Sequence, residues 1–208
     1  MGTNRPELRI SVFSDYICPF CYIGSRRVLR LREEFDLRIN WCGLEIHPDT
    51  PAQGMDMAQL GYPVEKWQSM MDGLQQLAQE ENIRFGEHRF TTNSHKALLL
   101  AEAAKQAGRE TFYSLHEALF HSYFVEGKNI GDESVLQSLA EAAGVSAGIV
   151  QSAWQDEQYR QRLDMNMKFA HELGISGTPA CVIGKQVLTG AQPYATLLDA
   201  CNRLVRGA

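Results

Sequence analysis

The sequence predicts a mixed α/β fold in which a helical block separates a strand–helix–strand unit from a helix–strand–strand–helix unit. Apolar and polar residues alternate near the N-terminus and again after the first helical stretch, as they do in strands. Strand character then returns only after residue 179, beyond a long stretch with helical spacing. With 208 residues, of which 44% are hydrophobic and 22% charged, the chain can form a core without disulfide bonds.

The N-terminal part is predicted to form a βαβ unit. Residues 8–14 alternate as a strand does, and Pro19 then suits the first turn of a helix that extends to about Phe35. Residues 37–41 alternate again and give a second strand. Since crossovers of this kind are right-handed and join parallel strands, the two strands are expected to be parallel.

Helical spacing dominates the middle of the chain, after a loop that contains several proline and glycine residues. Apolar residues recur there at intervals of three and four, which is typical of amphipathic helices. The predicted helices are one opened by Pro63, one capped by Ser94 and closed by Gly108, one that passes through Phe112 and Tyr123, one capped by Asp132, and a last long one that passes through Tyr159 and stops at Gly174.

The C-terminal part is predicted to be a hairpin followed by a helix. Residues 180–183 form a strand, Gly184 and Lys185 form a tight turn into the next strand, and Pro193 begins the last helix. The chain therefore divides into three segments. These are the N-terminal half of the sheet domain (1–46), a helical insertion (47–169) and the C-terminal half of the sheet domain (170–208).

Composition and charge exclude several function classes. The net charge is -5 and no basic tract appears, so nucleic acid is not an expected partner. No run of 18 apolar residues is long enough to span a membrane. Residues 1–7 carry no secretory signal, and an odd count of five cysteines favours reduced thiols over a disulfide framework. We therefore expect a cytoplasmic protein.

The most informative motif is Cys18-Pro19-Phe20-Cys21, which follows the first strand and opens the first helix. Two thiols at this spacing either form a reversible disulfide or supply half of a zinc site. A structural zinc site needs four Cys or His ligands, usually as two close pairs. The sequence has no second such cysteine pair, and its nearest histidine pair, His116 and His121, lies in the helical block, so no metal is expected.

Two motifs together resemble one family. The segment Asp15–Gly24 and the segment Gly174–Ala180 are similar to the active-site signature and the second signature of DsbA-like members of the thioredoxin superfamily, in the FrnE-like branch. The resemblance covers the whole chain, because the helical insertion has the expected size and place. It implies a thioredoxin fold, βαβ–αββα, with a large all-α insertion, and a cis peptide before Pro179. It also favours redox chemistry over zinc.

The resemblance implies a thiol–disulfide exchange enzyme. Cys18 lies at a helix N-terminus, which stabilises a thiolate, and is the expected nucleophile. Cys21 lies one turn later and is expected to resolve the mixed disulfide. Substrate contacts are expected from the residues between and opposite the cysteines: Pro19, Phe20, Gly177, Thr178 and Pro179. No tightly bound cofactor is expected, although glutathione is a candidate co-substrate. The expected partner is a disulfide- or thiol-containing protein or small molecule, and a homodimer is possible.

The chain departs from the branch in ways that leave alternatives open. The dipeptide between the cysteines is Pro-Phe, where tryptophan is common in the branch and the periplasmic oxidant has histidine. Since Phe20 adds no positive charge, we expect the pKa of Cys18 to be lowered less than in that oxidant. Related 2-hydroxychromene-2-carboxylate isomerases and kappa-class glutathione transferases usually carry serine at the position of Cys18. A glutathione-dependent isomerase or transferase is therefore the alternative function, and a redox-responsive binding module is a third.

Other polar residues near the motifs have more ordinary interpretations. Asp15 could tune the proton of Cys18, but a turn aspartate is the expected role. Glu45 and His47 follow the second strand and could shuttle protons, yet charges at a strand end are common. Cys42 and Cys181 are expected to fill the core, and Cys201 stands alone. Four methionines are interpreted as helical core rather than as a peptide-binding surface: Met55, Met57, Met70 and Met71.

Overall fold

The computed structural model describes residues 5–87 and 90–207. Its strands and α-helices follow one another along the chain. They are β1 (Glu7–Ser14), α1 (Pro19–Arg30), β2 (Asp36–Gly43), β3 (Met55–Asp56), α2 (Val64–Glu80), β4 (Phe90–Thr91), α3 (His95–Ala104), α4 (Arg109–Phe124), α5 (Glu133–Ala142), α6 (Ala147–Gln155), α7 (Glu157–Glu172), β5 (Ala180–Ile183), β6 (Gln186–Thr189) and α8 (Tyr194–Arg206).

A four-stranded sheet forms the centre, in the order β2-β1-β5-β6. Strands β1 and β2 are parallel, with Ile10 opposite Ile39, whereas β5 runs antiparallel to β1 and to β6. Helix α8 packs against α1 and against β5, and α7 packs against β2. The predicted α/β fold is therefore confirmed.

The helical block differs from the prediction in one respect. The single long helix expected through Tyr159 to Gly174 is preceded by a separate helix, α6, which the periodicity did not predict. Asp156 separates α6 from α7 because its backbone is extended, with φ −84° and ψ 122°. The hydroxyl of Ser146 accepts a hydrogen bond from the amide of Ile149 at 3.4 Å. That N-cap is the sequence signal that could have revealed α6.

Two smaller differences concern short elements. The first helix ends at Arg30, and a 3-10 turn over Leu31–Glu33 takes the place of its expected last turn. Strands β3 and β4 form a separate two-stranded sheet, which the sequence analysis did not predict. Two residues per strand are too few to establish an alternating pattern. The three-segment division stays a prediction, and its boundary after residue 169 falls inside α7.

A buried histidine connects the helical block to the sheet domain. His116 on α4 lies between the hydroxyl of Tyr16, 2.9 Å from Nδ1, and the hydroxyl of Ser25, 2.8 Å from Nε2. Burial lowers its pKa to about 3, so the ring is neutral near pH 7. A neutral imidazole has one donor and one acceptor, which matches two hydroxyl partners. This network fixes α4 to the turn after β1 and to α1.

A buried arginine connects three further elements. Arg27 on α1 donates to Glu80 at 2.6 Å and to Glu81 at 2.7 Å, at the end of α2. It also donates to the carbonyls of Ala191 and Gln192, before α8. Its side chain is 1% exposed, so these bonds replace the water that the guanidinium has lost.

The outer edge of the sheet is covered by side chains from the helical block. Among the described strands, β2 pairs only with β1, so no strand there pairs with its other edge. Lys105 Nζ donates to the carbonyl of Trp41 at 2.7 Å, and Arg109 Nη2 donates to the carbonyl of Leu37 at 3.3 Å. Two cations therefore occupy hydrogen-bond positions that a further strand would use.

Within residues 5–87 and 90–207, no helix has the length and apolarity needed to cross a bilayer. The expectation that a leader is absent depends in part on residues 1–4, which lie outside the described residues.

Candidate active site

The first predicted motif lies where β1 turns into α1. Cys18 is the residue before the helix, with an extended backbone, and its amide donates to the carbonyl of Asp15 at 3.2 Å. Pro19 follows in the first turn, where the amide hydrogen that it lacks would have no helical partner. This arrangement places the sulfur of Cys18 at the positive end of α1.

The two thiols of the motif differ in proton affinity. Both are buried and free. A hydrogen bond with the Cys21 thiol holds the pKa of Cys18 below its ordinary value, although burial acts in the opposite direction. Burial raises the pKa of Cys21 well above its ordinary value. The proton shared by the pair therefore stays on Cys21, and Cys18 is the thiol that ionises first.

The second predicted motif lies directly against the first. The Thr178–Pro179 peptide is cis. The sulfur of Cys18 lies 3.5 Å from the Thr178 carbonyl oxygen, which accepts its hydrogen bond. A Cβ added at Gly24 would lie 3.3 Å from Pro179 Cγ, so α1 and the second motif are in close contact. The structure thus brings together two motifs that lie 160 residues apart.

The Thr178 hydroxyl contributes to the same site. Its oxygen is buried and has no hydrogen-bond partner among the residues that the structure describes. Donation from the Thr178 side chain to the sulfur helps to lower the pKa of Cys18. An ionised Cys18 therefore supplies the partner that this hydroxyl lacks, which favours the thiolate.

A cavity of about 450 Å³ opens beside Cys18. Four other residues expected to contact substrate line it, namely Pro19, Phe20, Gly177 and Thr178. Pro179 lies behind this wall, against Gly24. The opposite wall comes from the helical block and is mostly apolar, with Met57, Trp67, Met70, Met71, Phe85 and Phe124 among its residues. The volume and the apolar character are typical of a small-molecule or side-chain pocket.

The methionines were therefore interpreted incorrectly in part. Met57, Met70 and Met71 are half-buried and line the cavity, although Met71 also packs against the core as expected. Helix α2 buries only Leu74 and Ala78, and its apolar residues Trp67, Met70 and Met71 line the cavity. Sequence spacing finds an apolar helix face but does not tell whether that face meets a core or a cavity.

The two polar residues after β2 have different surroundings. His47 lines the cavity, and burial holds its pKa below the ordinary value, so it is neutral near pH 7. The hydroxyl of Tyr62 lies 3.4 Å from its Nε2. Glu45 instead lies 2.7 Å from Nδ1 of His95, outside the residues that line the cavity.

Asp15 has more contacts than a turn aspartate needs. Its Oδ1 accepts from the amide of Ile17 at 3.3 Å, which is the expected turn interaction. Its Oδ2 accepts from the amide of Ile46 at 2.8 Å, across the site. The side chain is fully buried, and burial raises its pKa to about 6. The bond to Ile46 joins residues 31 positions apart, so no local sequence pattern predicts it.

The other three cysteines lie away from this chemistry. Burial raises the pKa of Cys42 to about 11, of Cys181 to about 12 and of Cys201 to about 11. Such thiols are protonated near pH 7 and behave as small apolar side chains. In the described part of the chain, no cluster of three or more His, Cys, Asp or Glu residues could hold a metal ion.

Several known proteins are similar to this chain in sequence or in structure. The chain is 26% identical over 187 residues to the uncharacterized protein YwbO of Bacillus subtilis, covering 88% of this chain and 90% of that one. The structure of the probable DsbA oxidoreductase SCO1869 from Streptomyces coelicolor superimposes with a TM-score of 0.83 at 23% identity, covering 97% and 91% of the two chains.

Two further structures share the fold at lower identity. A 2-hydroxychromene-2-carboxylate isomerase has a TM-score of 0.77 at 19% identity, with 96% and 97% of the chains covered. The cytosolic disulfide reductase DsbM from Pseudomonas aeruginosa, solved with GSH, has a TM-score of 0.69 at 16% identity, with 96% of each covered. At these identities the structures establish the fold alone.

The family itself follows from the sequence. The pattern of the DSBA-like thioredoxin domain matches residues 9–202, which includes both motifs, the sheet and the whole helical block. Together with the thioredoxin-like order of strands, this match shows that the chain belongs to the DsbA-like thioredoxin domain family.

Proposed function

We propose that this protein is a thiol–disulfide oxidoreductase that uses Cys18 and Cys21 as its redox pair. The observation that carries the proposal is the position of the Cys18 sulfur. It lies at the N-terminus of α1, with a lowered pKa, and on the wall of a cavity large enough for a substrate group. A nucleophilic thiolate needs this combination of stabilisation and access.

The exchange occurs in two steps. The Cys18 thiolate attacks one sulfur of a substrate disulfide, so that a bond to Cys18 forms, the substrate bond breaks and the other substrate sulfur leaves as a thiolate. Cys21 then loses its proton and attacks the sulfur of Cys18. The intramolecular disulfide forms, the first substrate sulfur leaves, and two electrons have passed to the substrate. The reverse sequence oxidises a substrate dithiol.

The high pKa of Cys21 suits its role as the resolving thiol. A protonated Cys21 donates to the Cys18 thiolate before the reaction and does not compete as a nucleophile. Once Cys18 is bonded to the substrate, it carries no charge. The Cys18 thiolate then no longer raises the pKa of Cys21, so Cys21 ionises more easily.

The substrate is a disulfide- or thiol-containing protein or small molecule whose neighbouring groups enter the cavity. Phe20, Gly177 and Thr178 are the proposed contacts next to the reacting sulfur. Glutathione is the proposed co-substrate that returns the pair to the dithiol state, and the presence of GSH in the DsbM structure supports this choice. A cytoplasmic location fits five free cysteines.

The decisive experiment is equilibration with glutathione buffers followed by alkylation and mass spectrometry. We expect a reversible two-electron transition between the dithiol and a Cys18–Cys21 disulfide. Cys18→Ala should abolish catalysed insulin reduction, and Cys21→Ser should accumulate mixed disulfides. Cys42→Ser serves as the control, since Cys42 lies in the core and should not change turnover. If no intramolecular disulfide forms at any ratio of reduced to oxidised glutathione, the proposal is refuted.

A second candidate function is a glutathione-dependent isomerase or transferase. The likeness to 2-hydroxychromene-2-carboxylate isomerase, together with the mostly apolar cavity beside Cys18, favours it specifically. In that case Cys18 would activate glutathione without cycling through a disulfide. Cys21→Ser separates the two functions, because an isomerase would keep its turnover with glutathione and an aromatic substrate whereas an oxidoreductase would stall.

A further inference from the structure

The cavity beside Cys18 contains a nitrogen base that the proposed exchange does not use. Among the described residues that line this cavity, Cys18, His47 and Tyr62 carry the ionisable side chains, and the others are apolar residues, glycines or residues with a hydroxyl group. A phenol and a thiol are acids, and the sulfur of Cys18 takes up no proton while it is in a disulfide. In the disulfide form, the imidazole of His47 is therefore the described group of the lining that can accept a proton near pH 7.

Hydrogen bonds on both sides fix the segment that carries His47. The amide of Ile46 donates to Oδ2 of Asp15 at 2.8 Å, in the turn before the first motif. On the other side, Asn93 Nδ2 donates to the carbonyl of Pro48 at 2.8 Å. His47 lies between these two anchored residues, so its ring is held at the cavity wall near the start of α1. A thiol that reaches the active-site sulfur through this cavity shares the space with that ring.

The imidazole ring is oriented by one neighbour and is free at its other nitrogen. The hydroxyl of Tyr62 lies 3.4 Å from Nε2, and the two rings meet edge to face with their centroids 6.2 Å apart. In the described part of the chain, Nδ1 of His47 has no hydrogen-bond partner. In the tautomer that carries its proton on Nε2, the ring donates to the Tyr62 oxygen and Nδ1 is left as an acceptor for a substrate.

The surroundings of the ring keep it neutral and able to accept a proton near pH 7. Burial holds the pKa of His47 below its ordinary value. Lys66 lies on the far side of Tyr62, 5.6 Å from the centre of that ring. The other ionisable groups on the elements around His47 are Cys18 at the start of α1, Asp15 in the turn before it, and Glu45 and Asp49 on the segment that carries His47 itself.

We propose that His47 is the general base that accepts the proton of a thiol while that thiol attacks Cys18 in the disulfide form. The inference rests on the proposed redox function and adds a residue to it. The substrate sulfur bonds to the sulfur of Cys18, the Cys18–Cys21 bond breaks, and its electron pair leaves with Cys21. The thiol proton passes to His47, which returns it to solvent, and Cys21 takes up one proton from solvent.

The first test is the rate at which glutathione reduces the Cys18–Cys21 disulfide, followed by acid quenching, alkylation and mass spectrometry. A thiol with a pKa of about 8.5 is only about 1% ionised near pH 6.5, so a base contributes most there. We expect His47→Gln to be about 10–100-fold slower than wild type near pH 6.5, and within about twofold near pH 8.5, where the thiol ionises without help.

His95→Gln is the matched control for this test. His95 contacts Glu45 and is not among the residues that line the cavity, so its variant should follow the wild type at every pH. A ratio between wild type and His47→Gln that is the same near pH 6.5 and near pH 8.5 would overturn the inference, because a merely structural defect does not depend on ionisation of the attacking thiol.

The second test is chemical rescue. His47→Ala opens space in the cavity wall, and imidazole added to the solution should restore its rate near pH 6.5 in proportion to the imidazole concentration. Rate that stays low at every imidazole concentration would overturn the inference even if the glutamine variant does not fold. A base lowers the barrier in both directions, so the reduction potential of His47→Gln should equal that of the wild type. A changed potential with a constant rate ratio would mean that His47 does not transfer the proton.

Failure of the inference and failure of the proposed function give different results. A protein that forms the disulfide, but whose reduction rate has the same pH dependence with and without His47, loses only this inference. A protein that forms no disulfide loses the proposed function.

Discussion

The N-terminus of α1 and the interior of the sheet both bury cysteine, with opposite results. At α1, the pKa of Cys18 is lowered despite burial, because Cys21 and Thr178 donate to its sulfur. In the sheet, burial raises the pKa of Cys42 to about 11 and that of Cys181 to about 12. Burial alone therefore predicts a thiol that stays protonated. The hydrogen-bond donors around a buried thiol decide whether it ionises.

The same contrast applies to the other buried ionisable groups. Arg27 keeps its charge among carboxylates and carbonyls, whereas His116 stays neutral between two hydroxyls. Asp15 lies between these cases, with backbone donors but no cation among the groups that act on it. Substituting these groups tests whether the surrounding donors and acceptors decide if a buried group is charged or neutral.

The largest effect is expected from Arg27. Arg27→Met would leave two carbonyls without their partner, and would leave Glu81, whose side chain is 9% exposed, with the more distant Arg30 at 3.7 Å. Since breaking a buried ion pair leaves an uncompensated group, the free energy of unfolding should fall by about 3–5 kcal/mol. Urea unfolding measures it. Arg26→Met is the control, because that arginine is half exposed beside Glu117 and should cost about 1 kcal/mol or less. An equal loss of unfolding free energy in the two variants would contradict this difference between a buried and a half-exposed arginine.

The next effect is the selectivity of alkylation. Near pH 7, Cys18 should react with iodoacetamide at least about 100-fold faster than Cys42 or Cys201, because the thiolate fraction falls tenfold for each unit of pKa. Time-resolved mass spectrometry of the digested protein gives the individual rates. In urea all five thiols should react at similar rates. If all cysteines of the folded protein react at the same rate, the hydrogen-bond donors at the start of α1 do not stabilise a thiolate.

A smaller effect is expected from the pH dependence of His116. The pKa is about 3 in the folded protein and 6.5 ordinarily, so the unfolded chain binds the proton first as the pH falls. The stability due to the neutral ring is thus present above pH 6.5 and is lost towards pH 3. Between pH 7 and pH 5, the difference in unfolding free energy between wild type and His116→Gln should change by about 2 kcal/mol. Urea unfolding at both pH values checks this, and a constant difference would contradict it.

The smallest effect concerns two glycines in helices. Gly73→Ala in α2 meets nothing within 4 Å and should stabilise the protein by about 0.5–1 kcal/mol, through helix propensity. Gly24→Ala in α1 gains the same propensity, but its new methyl group lies 3.3 Å from Pro179 Cγ. We expect no net stabilisation there, and a slower reaction with insulin because the two motifs are pushed apart. Thermal unfolding of both variants measures the difference, and equal gains would show that the contact is loose.

The sequence predicted most of the fold because its signals are local. Alternation identified β1 and β2, and Pro19, Asp132 and Pro193 marked the starts of helices at or near their observed positions. Helix α6, which ends before Asp156, was missed because the cap at Ser146 was not weighed.

The site was predictable only where family resemblance supplied the long-range link. No local sequence pattern predicts that Thr178 lies beside Cys18. That prediction came from the resemblance of the two motifs to one family. The bond from Ile46 to Asp15 and the methionines of the cavity wall had no such support. Both depend on how the insertion packs against the sheet, which amphipathic spacing leaves undetermined.

The helical block does more than form one wall of the cavity, because two of its cations cover the edge of β2. Lys105 and Arg109 belong to the helical block, yet they occupy the edge of the central sheet. A protein engineered down to a minimal thioredoxin core, without residues 47–169, would expose the Leu37–Trp41 edge to the same edge of another molecule. Such open edges template aggregation. Removing the helical block would therefore favour aggregation and would also remove one wall of the cavity. A truncated version would need new charges on β2 to block this edge.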